Sequence, residues 1–251
     1  MLPAEQTILN HRSVRKFKPT PIDPDTMQRI LQCGTRASNT GNMQIYSIIV
    51  TQEPQNIAAL SKLHFGQGAS APAFITVCVD VNRYHHWCRL RNCDQPYDNF
   101  LWLMSGTVDA SLAAQNICVA AEELGLGFCY LGTVLYNTQS IAQLLDLPKG
   151  VVPVVTLCIG YPDEQPQQSE RLPLDGIVHH EKYHDYSDQQ INDIHRIREE
   201  FPFNQEMVRI NKTDNLAQIF TQIRYPHKDN VAISQALLDF VEQAGMMNNS
   251  L

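Results

Sequence analysis

What this sequence lacks narrows its class before any motif is read. No segment approaches the roughly 20 consecutive apolar residues of a membrane-spanning helix, and the opening MLPAEQTILN has no basic stretch followed by a long apolar run. Neither a membrane span nor a secretory leader is expected, and the cytoplasm is the expected compartment. Charge is sparse, 18% of residues against 43% hydrophobic, so the chain carries enough apolar surface to fold. Its formal net charge of −7 disfavours a general nucleic-acid surface, so any anion site is local. No G-x-G-x-x-G and no Walker P-loop is present, which removes the motif evidence for dinucleotide Rossmann binding and P-loop nucleotide hydrolysis. Internal repeats and low-complexity tracts are also missing.

What is present suits a globular chain of 251 residues, one large domain or two smaller ones. The cysteines, at 33, 78, 88, 93, 118, 129 and 158, are odd in number, and Cys78, Cys118, Cys129 and Cys158 lie inside apolar stretches. Buried free thiols fit a reducing compartment. Met27, Ile30 and Leu31 fall at helical spacing after Asp23 and Pro24, predicting a helix over 24–37. IYSIIVTQ (45–52) and PAFITVCVDV (72–81) read as buried strands, with a short helix in EPQNIAALSKLH between them. The alanine-rich run at 106–124 has apolar residues on every face, predicting a central helix buried all round. FCYLGTV, the short helix TQSIAQLLDL and the strand VVPVVTLCIGYP follow. Strands alternating with helices give an α+β or α/β arrangement. After Pro166 the chain is polar, then amphipathic and helical without a strand signal.

Several short stretches could carry chemistry. HRSVRKF (11–17) brings Arg12, Arg15 and Ser13 close together; on one side of a helix or turn they would match a phosphate monoester, and a solvated basic patch is the alternative. RASNTGNMQ (36–44) can offer amides and hydroxyls to the polar edge of a heteroaromatic ring, or be an ordinary turn. FGQG (65–68) and YLGT (130–133) are glycine turns beside strands, where backbone can approach a ligand. HEKYH (180–184) formally satisfies H-E-x-x-H, so a zinc hydrolase using His180, Glu181 and His184 is a rival reading. HHWCRLRNC (85–93) has C-x₄-C without a second pair, which is not a zinc-ribbon spacing, and reads as a variable loop near an entrance.

Taken in order, HRSVRKF, ASNTGNMQIYSIIV, FGQG, DASLAAQNICVAAEELGLGFCYLG, LCIGYPDE and RLP resemble the nitroreductase family of flavin mononucleotide (FMN) oxidoreductases. The branch is that of larger flavin reductases and oxygen-insensitive nitroreductases, and the likeness spans about residues 5–186. The resemblance implies an α+β fold, a mixed sheet flanked by helices. An FMN-binding core at 1–165 would be followed by a helical extension at 166–251 that packs on a dimer partner and completes the site. It implies that His11, Arg12, Ser13 and Arg15 contact the FMN phosphate and ribityl chain, with Arg171 a further phosphate ligand. Ser38, Asn39, Thr40 and Gln44 would lie along the isoalloxazine, Gln67 at its pyrimidine edge, and Leu131, Gly132 and Thr133 over its centre. NADPH, with a slight preference over NADH, would reduce the flavin by hydride transfer. A nitroaromatic, quinone or flavin would then collect two electrons in a ping-pong cycle. For a 2′-phosphate, Arg196, Arg198, Arg209, Lys212, Arg224 and Lys228 are candidates. No side chain is expected to act as nucleophile or metal ligand. Two departures stand out: Ser169 replaces the lysine usual two residues before the RLP arginine, and Thr133 replaces a second glycine. A non-catalytic flavin-binding sensor is the remaining rival.

Overall fold

In the computed structural model, residues 3–94 and 97–249 are described. In chain order the elements are Pro3–Leu9 (α1), Pro24–Thr35 (α2), Tyr46–Thr51 (β1), Pro54–Leu63 (α3), Ala73–Asp80 (β2), Asn82–Leu90 (α4), Phe100–Glu123 (α5), Gly127–Tyr130 (β3), Thr138–Leu144 (α6) and Val151–Gly160 (β4). Asp188–Glu199 (α7), Pro202–Asn211 (α8), the short Leu216–Gln218 (α9), which continues into a π-helical stretch Ile219–Arg224, and His227–Gln243 (α10) complete it.

Local chemistry sets the starts of the helices. The Asp23 carboxylate accepts the Thr26 N–H at 2.9 Å, and Pro24 stands in the first turn, where its missing N–H costs nothing. α5 begins earlier than its alanine-rich part predicts because the Asn99 side chain caps it, accepting from the Trp102 N–H at 3.3 Å. HHWCRLRNC is helical for most of its length, not a loop. Asp80 accepts the Arg83 N–H at 3.0 Å and starts α4, and Cys88 is buried on its inner face.

The four strands form one sheet, in the order β1-β2-β4-β3. The class is α+β as expected. The mixed sheet expected with it is wholly antiparallel between neighbouring strands among the described residues: Thr51, which ends β1, faces Phe74 near the start of β2, and the linker from β2 to β3, which includes α5, crosses the sheet, so that β2 and β3 both run against β4. Pro153 in β4 has no N–H for the ladder and faces Cys78, where the register shifts between Val77 and Cys78.

α5 covers this sheet with its smallest residues. Gly106, Ala110, Ala113 and Ala114 are buried, and a Cβ at Gly106 would lie 2.6 Å from Val79 Cγ1. The helix is not buried all round. Leu101, Met104, Val108 and Leu112 are 65, 48, 55 and 42% exposed, a stripe at helical spacing. A face this apolar reads in sequence as core, but the single chain supplies nothing to cover it.

The chain divides into two compact units, residues up to 167 together with 233 onward, and 168–232. The extension is therefore split. From 233 the chain belongs to the first unit, where Val241, Ala244 and Met246 pack with Val79, Val81 and Val152, and the Gly150 N–H donates to Ala244 O at 2.8 Å. The second unit is helical, with a capping box at Ser187 and Gln190 starting α7.

Candidate cofactor site

HRSVRKF is an extended segment, not a helix or turn. Its Val14 N–H donates to Phe128 O of β3 at 2.9 Å, and Phe17 bridges Pro162. Val14 and Phe17 are buried, so Arg12, Arg15 and Lys16 stand exposed between and beside them. The one-sided pairing of the two arginines that a helical turn would give is absent, because the inward positions belong to the apolar residues. Each guanidinium reaches only a main-chain carbonyl, Arg12 that of Asn10 at 3.1 Å and Arg15 that of Ser13 at 3.4 Å. Among the described residues neither has a carboxylate within ion-pair distance.

The carboxylates nearby serve other groups. Glu122 of α5 meets His11 Nδ1 at 2.7 Å, and the His11 ring stacks on Phe128 at 4.9 Å. Glu164 accepts the N–H groups of Arg15 and Lys16 at 2.6 and 3.0 Å, and those bonds hold its carboxyl below its ordinary range. An anion here is thus left the guanidiniums and the half-buried Ser13 rather than those amides. Arg12, Val14, Glu122, Gly127 and Glu164 line a cavity of about 490 Å³. Arg15 also acts on β3. Cys129 is lowered to about 7, chiefly by a hydrogen bond with Cys158 opposite it, with the Arg15 charge adding to the effect against burial.

Two loops meet beside the same strand. In FGQG, Phe65, Gly66 and Gly68 have φ of 56, 81 and 71°, and a Cβ at Gly68 would lie 2.6 Å from Phe74 Cζ. Glycine is required at 68 by both conformation and space. The turn leaves Gln67 exposed, and Ser70 just beyond accepts the Phe17 N–H at 3.1 Å, tying this loop to the arginine segment. In the other loop Leu131 is buried and its N–H is committed to Thr156 O at 2.8 Å, so it offers no amide to a ligand. Gly132 is exposed, and a Cβ there would meet nothing within 4 Å. Thr133 Oγ1 lies 2.7 Å from Nδ1 of His64, joining the two loops.

The 38–44 loop is held elsewhere. Thr40 gives its N–H to both oxygens of Asp109, at 3.0 and 3.1 Å, and its hydroxyl to one of them at 3.1 Å. Asn39 closes the loop by accepting the Gln44 N–H at 3.0 Å, Ser38 is exposed, and the Gln44 carbonyl accepts from Arg83. Asp109 and Glu122, the α5 anchors of Thr40 and His11, are thirteen residues apart in sequence, about 20 Å along a helix axis. The loop leads into β1 and the arginine segment lies on β3, at opposite edges of the sheet. One chain therefore brings His11 to Arg15, Gln67 and residues 131–133 to one edge, and Ser38 to Gln44 to the other.

Arg171 belongs to the second unit, where its guanidinium donates to Glu170 O at 3.1 Å and Ser169 O at 3.4 Å. In that unit Arg196 pairs with Asp193, Arg209 with Glu206 and Arg198 with Glu170, while Arg224 lies 5.4 Å over the Phe220 ring. Lys212 and Lys228 have no ion pair among the described residues. HEKYH is not helical, and Glu181 has φ of 64°, so the shared helix face that the zinc reading requires is not formed. Just before that segment, His179 has its Nε2 2.9 Å from the Tyr186 hydroxyl and accepts the His184 N–H at 3.2 Å.

Sequence reasoning missed Asp109, Glu122, Glu164, Arg83 and His64, which position the predicted residues. Asp109 was detectable as a lone carboxylate within an apolar, alanine-rich run, since a charge on a buried face needs partners. His64 directly precedes the glycine turn, but nothing in the sequence joins it to Thr133.

A sequence model of the nitroreductase family matches residues 8–80 and 104–161. The chain is 33% identical over 180 residues to the NADPH-flavin oxidoreductase of Vibrio harveyi, covering 71% of this chain and 73% of that protein. With the oxygen-insensitive NADPH nitroreductase of Salmonella typhimurium it shares 34% over 188 residues, 73% and 75% of the two chains. A solved crystal structure from Bacteroides fragilis superposes with a TM-score of 0.95 at 40% identity, covering 97% of this chain and all of that one, 100%. Fold, site and likeness together define an oxidoreductase of the nitroreductase and flavin reductase type. The chain belongs to the nitroreductase family.

Proposed function

We propose that this chain holds FMN and uses NADPH, or NADH, to reduce small acceptors such as nitroaromatics, quinones or flavins. It would deliver two electrons at a time in a ping-pong cycle, as a homodimer. The carrying observation is the pair Arg12 and Arg15, two exposed guanidiniums with no carboxylate within ion-pair distance among the described residues, beside glycine loops that leave open space at Gly132. That donor set fits the group: guanidiniums for a phosphate, the exposed Gln67 for a pyrimidine edge, and a glycine surface for a flat ring. Bound FMN supplies the hydride chemistry. The chain binds and orients it, through Arg12, Ser13 and Arg15 at the phosphate and Gln67 with residues 131–133 along the ring. NADPH stands first as donor because both curated relatives carry it in their names.

The separation of the 38–44 loop from the arginine edge supports the dimer. If that loop lies along the ring as the resemblance implies, a second copy must bring it there. The exposed stripe on α5 gives two copies an apolar surface to bury.

The test is an anaerobic titration of purified protein with NADPH and NADH, following flavin absorption. A yellow protein bleached by a nucleotide and recoloured by a quinone or nitroaromatic is expected. One that stays yellow is a flavin-binding sensor, and one that stays colourless and takes up no added FMN has no flavin role. Arg12→Ala and Arg15→Ala are each expected to fold normally and to weaken FMN retention by about 1–3 kcal/mol, the worth of a charge-assisted contact. Unchanged affinity in both removes them from the phosphate site.

A further inference from the structure

His64 follows the last turn of α3, fully buried, with its ring stacked against Phe74 at 6.0 Å. Its Nδ1 lies 2.7 Å from Thr133 Oγ1, and its Nε2 has no partner among the described residues. Burial pushes its pKa down to about 4, so at neutral pH the ring is uncharged and carries one proton. A neutral imidazole is a donor at one nitrogen and an acceptor at the other. If the proton sat on Nε2, a buried N–H would be left without an acceptor, the costlier of the two orphans. The proton therefore belongs on Nδ1, which donates to Thr133 Oγ1. With its oxygen so engaged, the Thr133 hydroxyl is left to donate its own proton onward, next to the open surface at Gly132.

We propose that His64 is a positioning residue that fixes the Thr133 hydroxyl as a hydrogen-bond donor toward the central nitrogen of the bound flavin ring. The proposal rests on the functional reading above. It also gives a role to Thr133, which replaces a family glycine and would otherwise only narrow the site. The oxidised ring offers a lone pair at that nitrogen and the reduced ring an N–H, so a fixed donor favours the oxidised form. The glycine usual at this position has no side chain to make that contact. Here a side chain supplies the donor, and a buried histidine sets its direction.

The experiment compares the midpoint potential of bound flavin, and its affinity in each oxidation state, in wild type, Thr133→Val, Thr133→Ser, His64→Leu and His64→Asn. Thr133→Val is expected to shift the ratio of reduced to oxidised affinity threefold to tenfold toward the reduced form, which raises the potential by about 15–30 mV for a two-electron couple. His64→Leu is expected to move it the same way, and the double variant no further than Thr133→Val alone. Thr133→Ser keeps the hydroxyl, and His64→Asn keeps an N–H near the position of Nδ1, so both are expected to return the wild-type potential. Independently of flavin, ¹⁵N-histidine NMR is expected to show His64 protonated on Nδ1. Flavin that binds with equal potentials in wild type, Thr133→Val and His64→Leu overturns this proposal alone. A wild type that binds no flavin overturns the functional reading and the proposal with it, and a proton found on Nε2 overturns the assigned direction of donation.

Discussion

The neutral His64 gives the fold a definite acid weakness. Free histidine titrates near 6.5 and His64 near about 4, so between those values the unfolded chain binds a proton that the folded chain refuses. The folded pKa is depressed. Its contribution to stability is therefore complete above about 6.5, is lost as the pH falls toward 4, and changes no further below that. The full loss is at most roughly 3 kcal/mol. Urea unfolding at pH 7 and pH 4.5 is expected to show a larger acid loss in wild type than in His64→Asn, which has no ring to titrate. Equal losses would mean that His64 is protonated without cost. No local pattern announces this histidine's setting, since burial comes from Phe74 on β2 and the bond from Thr133, 69 residues away. The arginines of HRSVRKF were legible because that stretch concentrates charge in an acidic chain. Their geometry was not. Val14 and Phe17 take the inward positions through contacts with β3 and Pro162, which no local pattern announces.

At the scale of elements, the strands and most helices were legible because their apolar spacing and caps are local. What the pattern could not supply was the outside of α5: periodicity registers apolar faces, not what covers them. The same helix shows how closely it must approach the sheet. Glycine at 106 costs about 1 kcal/mol of helix propensity relative to alanine, yet a Cβ there would lie 2.6 Å from Val79 Cγ1 and 3.4 Å from Ile45 Cδ1. Packing outweighs propensity at this position. Gly106→Val is expected to destabilise the fold by about 1–3 kcal/mol through overpacking, read as a lower urea midpoint; a stabilised variant would mean that α5 can lift from the sheet freely. Asp109, one turn further on, acts differently. It is 2% exposed and serves only the Thr40 loop among the bonds described. Asp109→Ala removes the charge-assisted bonds that hold the exposed Thr40, at a cost of roughly 1.5–3 kcal/mol. Proteolysis of the variant is expected to begin within 38–44, and resistance there would show that the loop holds its shape by Asn39 alone.

For the whole molecule, the question that the proposed function raises is how two groups of residues at opposite edges of one sheet would serve a single flavin. Within one chain His11 and Thr40 are anchored to α5 about 20 Å apart, and the exposed apolar stripe of that helix carries Val108 and Leu112, 55 and 42% exposed. In a monomer, charges at those two positions would be surface substitutions worth no more than about 0.5 kcal/mol each. In a dimer whose interface includes this strip, the same charges enter an apolar contact, where an unpaired carboxylate is costly. The two arrangements thus give opposite results for one variant. Val108→Glu with Leu112→Glu is expected to sediment as a folded monomer with unchanged circular dichroism, and to lose FMN, because the 38–44 loop of the second copy is no longer present. Supplying excess FMN is expected to restore little of it while the chain remains monomeric. A variant that stays dimeric with full flavin content would place the interface elsewhere and leave the α5 stripe to another role. A monomer that keeps its flavin would show that the arginine edge and the two glycine loops suffice, and that Ser38 to Gln44 take no part in holding the ring.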